Sequence, residues 1–126
     1  MEKIKIYSVL SNNDNETTTI EALADYDKEK NTLKYNEEDL KVEIQILGKK
    51  IKMRRKNEEY DLNLEFSLNK KIRCKYIVNS VGLNLEIEVY TKKLEIEDNR
   101  IYVNYEIFND NKSIGIFEYK LMILEV

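Results

Sequence analysis

Histidine, proline and tryptophan are absent from the 126 residues, and there are only three glycines and one cysteine, Cys74. Without histidine the usual zinc-ligand sets and the Ser-His-Asp and Cys-His nucleophile arrangements are excluded. One cysteine excludes an intrachain disulfide. Three isolated glycines, Gly48, Gly82 and Gly115, cannot build a phosphate-cradling glycine loop. Long apolar runs are missing as well: nothing approaches the ~20 consecutive apolar residues of a membrane helix. The opening MEKIKIYSVLSNN alternates charge with apolar residues where a signal peptide would be continuously apolar. The expectation is a soluble cytoplasmic protein with no cofactor, no metal and no membrane partner.

What is present is a chain of one-domain size, residues 1–126, with 42% hydrophobic and 36% charged residues spread along its length. The abundance of Asn, Lys, Ile, Glu and Tyr reads as compositional bias, which gives any single Asn or Lys little weight.

Period-2 alternation dominates over helical spacing. It runs through Ile4–Leu10, Ile20–Tyr26, Leu33–Tyr35, Leu40–Ile46, Ile51–Met53, Tyr60–Leu68, Ile72–Val78, Leu83–Val89, Ile101–Ile107 and a last strand to Leu124. Short polar turns separate these runs, and Gly48 suits a tight hairpin requiring positive φ. The apolar face changes parity twice, between Val89 and Leu94 and across Gly115. An extra residue at each place is what a β-bulge supplies, and bulges let a sheet curl closed. The fold class is therefore all-β, an antiparallel meander of about ten strands closed into a barrel.

The block MRRKNEEYDLNLEF with KYIVNSVGLNLEIEVYTKKLEIEDNRIYVNYEI resembles the YwiB-like family of bacterial domains. Met53 with Arg54, Tyr76, Gly82, Thr91 and Tyr105 carry the resemblance. The chain has Arg55-Lys56-Asn57 where the family often has a glycine, and the spacing from Gly82 to Thr91 is one residue longer. The resemblance implies a calycin-like, or lipocalin-like, β-barrel of 8–10 strands and no established activity.

Two constellations are candidates for function. Arg55, Tyr76, Thr91 and Tyr105 share the inward parity of their aliphatic neighbours, and a few polar groups in an apolar barrel are how small-molecule sites fix orientation. They are expected to converge at one barrel end around a small, partly apolar ligand. The competing reading is a filled core whose hydroxyls satisfy one another or the backbone. Residues 49–75 contain ten basic and four acidic residues, so a local balance of +6 sits in a chain of net charge −3. Lys50, Lys52 and Arg54 share the outward face of one strand, and Lys71, Arg73 and Lys75 that of another. Such a stripe attracts phosphate backbones. An intervening strand offering Asp61 and Glu65 as cross-strand partners disfavours nucleic acid.

Catalysis has the weakest support. Glu86 and Glu88 face outward, where a solvated carboxylate gains no useful pKa shift, and Cys74 has the placement of a small buried hydrophobe. The overall expectation is a non-catalytic binding module or, alternatively, a structural or protein-interaction domain.

Overall fold

The computed structural model describes residues 2–124. Ten strands follow in order: β1 (Glu2–Asn12), β2 (Thr17–Asp27), β3 (Thr32–Glu37), β4 (Leu40–Leu47), β5 (Lys50–Lys56), β6 (Tyr60–Ser67), β7 (Lys71–Val78), β8 (Leu83–Glu97), β9 (Arg100–Asn109) and β10 (Lys112–Leu124). A single 3-10 turn, Asn79–Val81, links β7 to β8. Each strand pairs antiparallel with its sequence neighbours, and β1 pairs with β10, so the meander closes into a ten-stranded barrel. Among the described residues no helix is long and apolar enough to cross a membrane.

Alternation builds the core. On β5 the pattern is strict, with Ile51, Met53 and Arg55 buried while Lys50, Lys52, Arg54 and Lys56 are exposed. The inner rows of all ten strands meet in one cluster that includes Ile6, Val42, Ile44, Phe66, Val89, Val103 and Leu121. Burial of such side chains, at about 25 cal/mol per Å² of apolar area, supplies the main favourable term.

Both parity changes are bulges: the β8–β9 register shifts between Thr91 and Lys93, and the β9–β10 register between Ser113 and Gly115. A side chain at Gly115 would run into the Phe117 ring, 2.9 Å from the position of its Cβ. Apolar residues at strand ends and in the second bulge leave the inward rows. Leu68 and Leu83 are 47% and 46% exposed, not inward, because each lies where the chain turns at a barrel end. Ile114 lies within the second bulge and also faces outward.

The turns show how the chain manages with so few glycines. Gly48 and Gly82 have positive φ, and so do Asn15, Asn31, Asn69 and Asn111. Asparagine is among the few L-residues that enter this region readily. These asparagines serve the turns.

Two ladders are short. β2 and β3 pair only through Asp25–Asp27 with Thr32–Lys34, and β6 and β7 only through Tyr60–Leu62 with Tyr76–Val78. These seams divide the barrel into a six-stranded sheet, β7–β8–β9–β10–β1–β2, and a four-stranded one, β3–β4–β5–β6.

Candidate functional site

Inside the barrel lies a polar cluster. Extending the inward parity of Leu33 and Tyr35 by two residues brings Glu37 to the interior at the end of β3. Arg55 reaches it from β5: Nη2 donates to Glu37 Oε2 at 2.5 Å. Arg55 is 9% and Glu37 7% exposed. Isolated charges would be prohibitively costly there, whereas a hydrogen-bonded pair is tolerated. Burial alone would lower the Arg55 pKa, but the Glu37 carboxylate and the Tyr35 hydroxyl more than offset it, so the guanidinium stays charged. Its second terminal nitrogen, Nη1, is fully buried and donates to no acceptor among the described residues.

Tyrosines surround this pair. The Tyr35 and Tyr119 hydroxyls are 2.6 Å apart, and Tyr35 also donates to Ser8 Oγ at 3.5 Å, so a chain from Tyr119 through Tyr35 to Ser8 spans the interior. The Tyr105 ring lies between Phe66 and Phe117, with centroids at 4.6 and 5.3 Å. Burial raises the pKa of Tyr35, Tyr105 and Tyr119, and the nearby Glu37 charge adds to it; Arg55 opposes the rise at all three. Nearer the rim, Tyr60 packs edge-on against Tyr76 at 5.9 Å; burial raises its pKa and Arg55 opposes the rise.

The four residues expected to converge are therefore partly brought together. Arg55 and Tyr105 belong to the buried cluster. Tyr76 belongs to the rim, aligned across the sheet with Leu62 and, through it, with Arg55. Thr91 neighbours Tyr105 in the β8–β9 ladder, yet its polar groups are engaged by the turn after β6. Its hydroxyl accepts from Ser67 N at 3.2 Å, its carbonyl from Asn69 N, and its amide donates to Lys70 O. Thr91 thus fastens a seam. Ser8, Tyr35, Glu37 and Tyr119 were not singled out by sequence; parity was the signal available for Glu37 and Tyr35.

All six residues of the basic stripe face outward. Lys52, Arg54, Arg73 and Lys75 line an outer groove of about 570 Å³ together with Asp25, Asp27, Glu43 and Glu65. As the alternation implied, β6 lies between β5 and β7 and supplies counter-charges. Asp61 receives both Nε and Nη2 of Arg54, at 2.9 and 2.6 Å, and Glu65 lies 3.8 Å from Lys52. The Arg54 hydrogen bonds hold the Asp61 carboxyl below its ordinary pKa. Lys50 does not line this groove, and Lys71 instead sits over the Phe108 ring at 4.1 Å. Cys74 is buried, and desolvation pushes its thiol pKa up, away from the reactive thiolate. Among the described residues no cluster of three or more acidic or cysteine side chains has the arrangement of a metal site.

The family described as Domain of unknown function (DUF1934) matches residues 4–123. The crystal structure of the YwiB protein from Bacillus subtilis is similar in fold, with a TM-score of 0.67 at 18% sequence identity, over 98% of this chain and 90% of that one. Among curated proteins no sequence matches.

Proposed function

The chain belongs to the DUF1934 family, and on that premise we propose that it is a cytoplasmic, non-catalytic binding module of calycin-like type. Its ligand is small and partly apolar and carries a hydrogen-bond acceptor. The observation that supports this reading is Arg55 Nη1, a buried donor without an acceptor among the described residues. An unmet buried donor costs about 1–3 kcal/mol, more when charged, and an acceptor on a ligand would remove that cost. The aromatic rings of Tyr105, Tyr60 and Tyr76 offer the apolar surroundings. Leu10, Ile20, Ala22 and Phe117 are only partly buried, so the inner rows are less closely covered there than around Val89 and Val103.

The second reading, a filled structural domain, draws on the satisfied groups: Thr91 is engaged on all sides, and Tyr35, Tyr119 and Ser8 pair among themselves. Nucleic-acid binding is not favoured, because Arg54 and Lys52 of the stripe already face carboxylates.

Titration with benzoate, hexanoate and neutral benzamide, followed by NMR of the tyrosine rings and the Arg55 guanidinium, distinguishes the two. Saturable shifts at Arg55 and Tyr105, lost in Arg55→Lys, are expected for the binding module. Arg55→Lys keeps a positive charge beside Glu37 while removing Nη1 and the fixed fork that aims it into the interior. Uniformly unmoved interior resonances would leave the filled domain.

A further inference from the structure

The seam between β2 and β3 carries features that the interior site does not use. From Thr17 to Ala24, β2 is paired with β1 on one side but has no ladder partner on the β3 side among the described residues. Tyr35–Glu37 of β3 is likewise unpaired toward β2. Open edges invite strand pairing, and proteins ordinarily blunt them with lysine, proline, a bulge or short length. The β2 edge, TTTIEALA, has none of these. Its one charge, Glu21, is held by Lys5 at 2.9 Å, and Leu23 on its outer face is 63% exposed.

Alongside runs a groove of about 400 Å³ whose lining includes Leu23, Lys34, Asn36, Lys41 and Lys56. Lys34 pairs with Glu43, and Lys3 with Asp25. Lys41 and Lys56, by contrast, stand opposite each other in the β4–β5 ladder, and among the described residues neither has a carboxylate within ion-pair distance. Asp61, across from Lys56, is taken by Arg54. Like charges directly opposite in a sheet destabilise it, so this pair is an uncompensated cation site.

We propose that the β2–β3 seam is a docking surface for an extended acidic segment of another protein, which adds as a strand to the free edge of β2. Its main chain meets the unpaired groups of Thr17–Ala24. Its outward side chains are carboxylates directed along the groove toward Lys41 and Lys56, and the alternate, inward ones are apolar and pack beside the partly buried Ile20 and Ala22. A peptide fits better than a nucleic acid, because the groove presents an unpaired backbone and its one aromatic, Tyr35, is buried and unavailable for base stacking.

The test is fluorescence polarisation with a capped, labelled peptide of alternating Glu and Val, as long as the free edge. Saturable binding that weakens with salt is expected, with Thr17–Ala24 amides exchanging more slowly in the complex. Lys41→Glu with Lys56→Glu should weaken binding by about tenfold or more, and N-methylation of alternate peptide amides should abolish it. Arg55→Lys should leave it unchanged, which separates this surface from the interior site. No binding at low salt would overturn the proposal. So would equal binding of the N-methylated peptide, which would reduce the surface to charge alone, or displacement of the peptide by equimolar oligothymidylate, which would assign it to nucleic acid.

Discussion

The two sheets of the barrel are built on different terms. In the six-stranded sheet the ladders run eight to ten residue pairs, and its inner face is largely aliphatic. The four-stranded sheet has ladders of six or seven pairs and carries the buried Arg55–Glu37 pair, while its outer face holds Lys41, Lys52, Arg54 and Lys56. Three pairs join the two at each seam. The six-stranded sheet has the longer ladders, with unmet backbone groups along the free edge of β2, whereas the four-stranded sheet displays the side chains with unmet bonding capacity, Arg55, Lys41 and Lys56. Inside, the Tyr35–Tyr119 contact bridges them.

Alkali should break this arrangement most completely, because it acts on both sheets at once. Tyr35, Tyr105 and Tyr119 have folded-state pKa values above the ordinary 10.0. The stability each contributes is complete below its unfolded value and is lost as pH rises from there toward the folded one. Denaturant midpoints should hold up to about pH 9 and fall steeply above about pH 10, with tyrosinate absorbance rising together with unfolding. A midpoint that does not change through that range would count against burial of the phenols.

Next in size is Arg55→Met, which strands Glu37 in the interior and should cost about 3–5 kcal/mol. Adding Glu37→Leu should recover most of that loss, since no charge is left unpaired. Failure of the double variant to recover would mean that the pair also holds β3 against β5 in a way apolar packing cannot replace. In the six-stranded sheet, Ile87→Ala should cost about 2–5 kcal/mol by urea denaturation. Thr91→Val should cost about 1–3 kcal/mol, by leaving Ser67 N without its acceptor, and should speed hydrogen exchange around Ser67–Lys71 more than in β9. Equal acceleration everywhere would show that Thr91 is not a local fastener. The smallest effect belongs to Glu88→Ala, about 0.5 kcal/mol or less; a loss matching that of Ile87→Ala would overturn the assigned β8 register.

The barrel was legible in the sequence because alternation is a one-strand property. Leu85, Ile87 and Val89 declare their side without knowledge of their partners, and both bulges appeared as parity changes around Thr91–Lys93 and Gly115. The polar cluster was only half legible, for the opposite reason. Parity puts Arg55, Tyr76, Thr91 and Tyr105 on inward faces but does not fix their height, which depends on strand stagger and tilt. Glu37 was hidden by its own chemistry, since a carboxylate two residues beyond Tyr35 looks like the beginning of a turn. Thr91 was over-read, because its hydroxyl serves a backbone amide on another strand. The seams left no trace in the sequence: β2 alternates as well beside its free edge as beside its paired one.

Closure of the barrel also sets a timetable. Nine of the ten ladders join strands consecutive in the chain, so each can zip from its own turn. The tenth joins Lys5 with Leu124 and Asn12 with Phe117. Bringing together points so distant along the chain carries the largest loop-closure entropy in the molecule, and contacts of that separation slow folding. Until β10 docks, the growing sheet has two raw margins, one of them β1. Refolding is thus expected to slow at this last suture and to become concentration-sensitive there, as open margins of different molecules compete to pair.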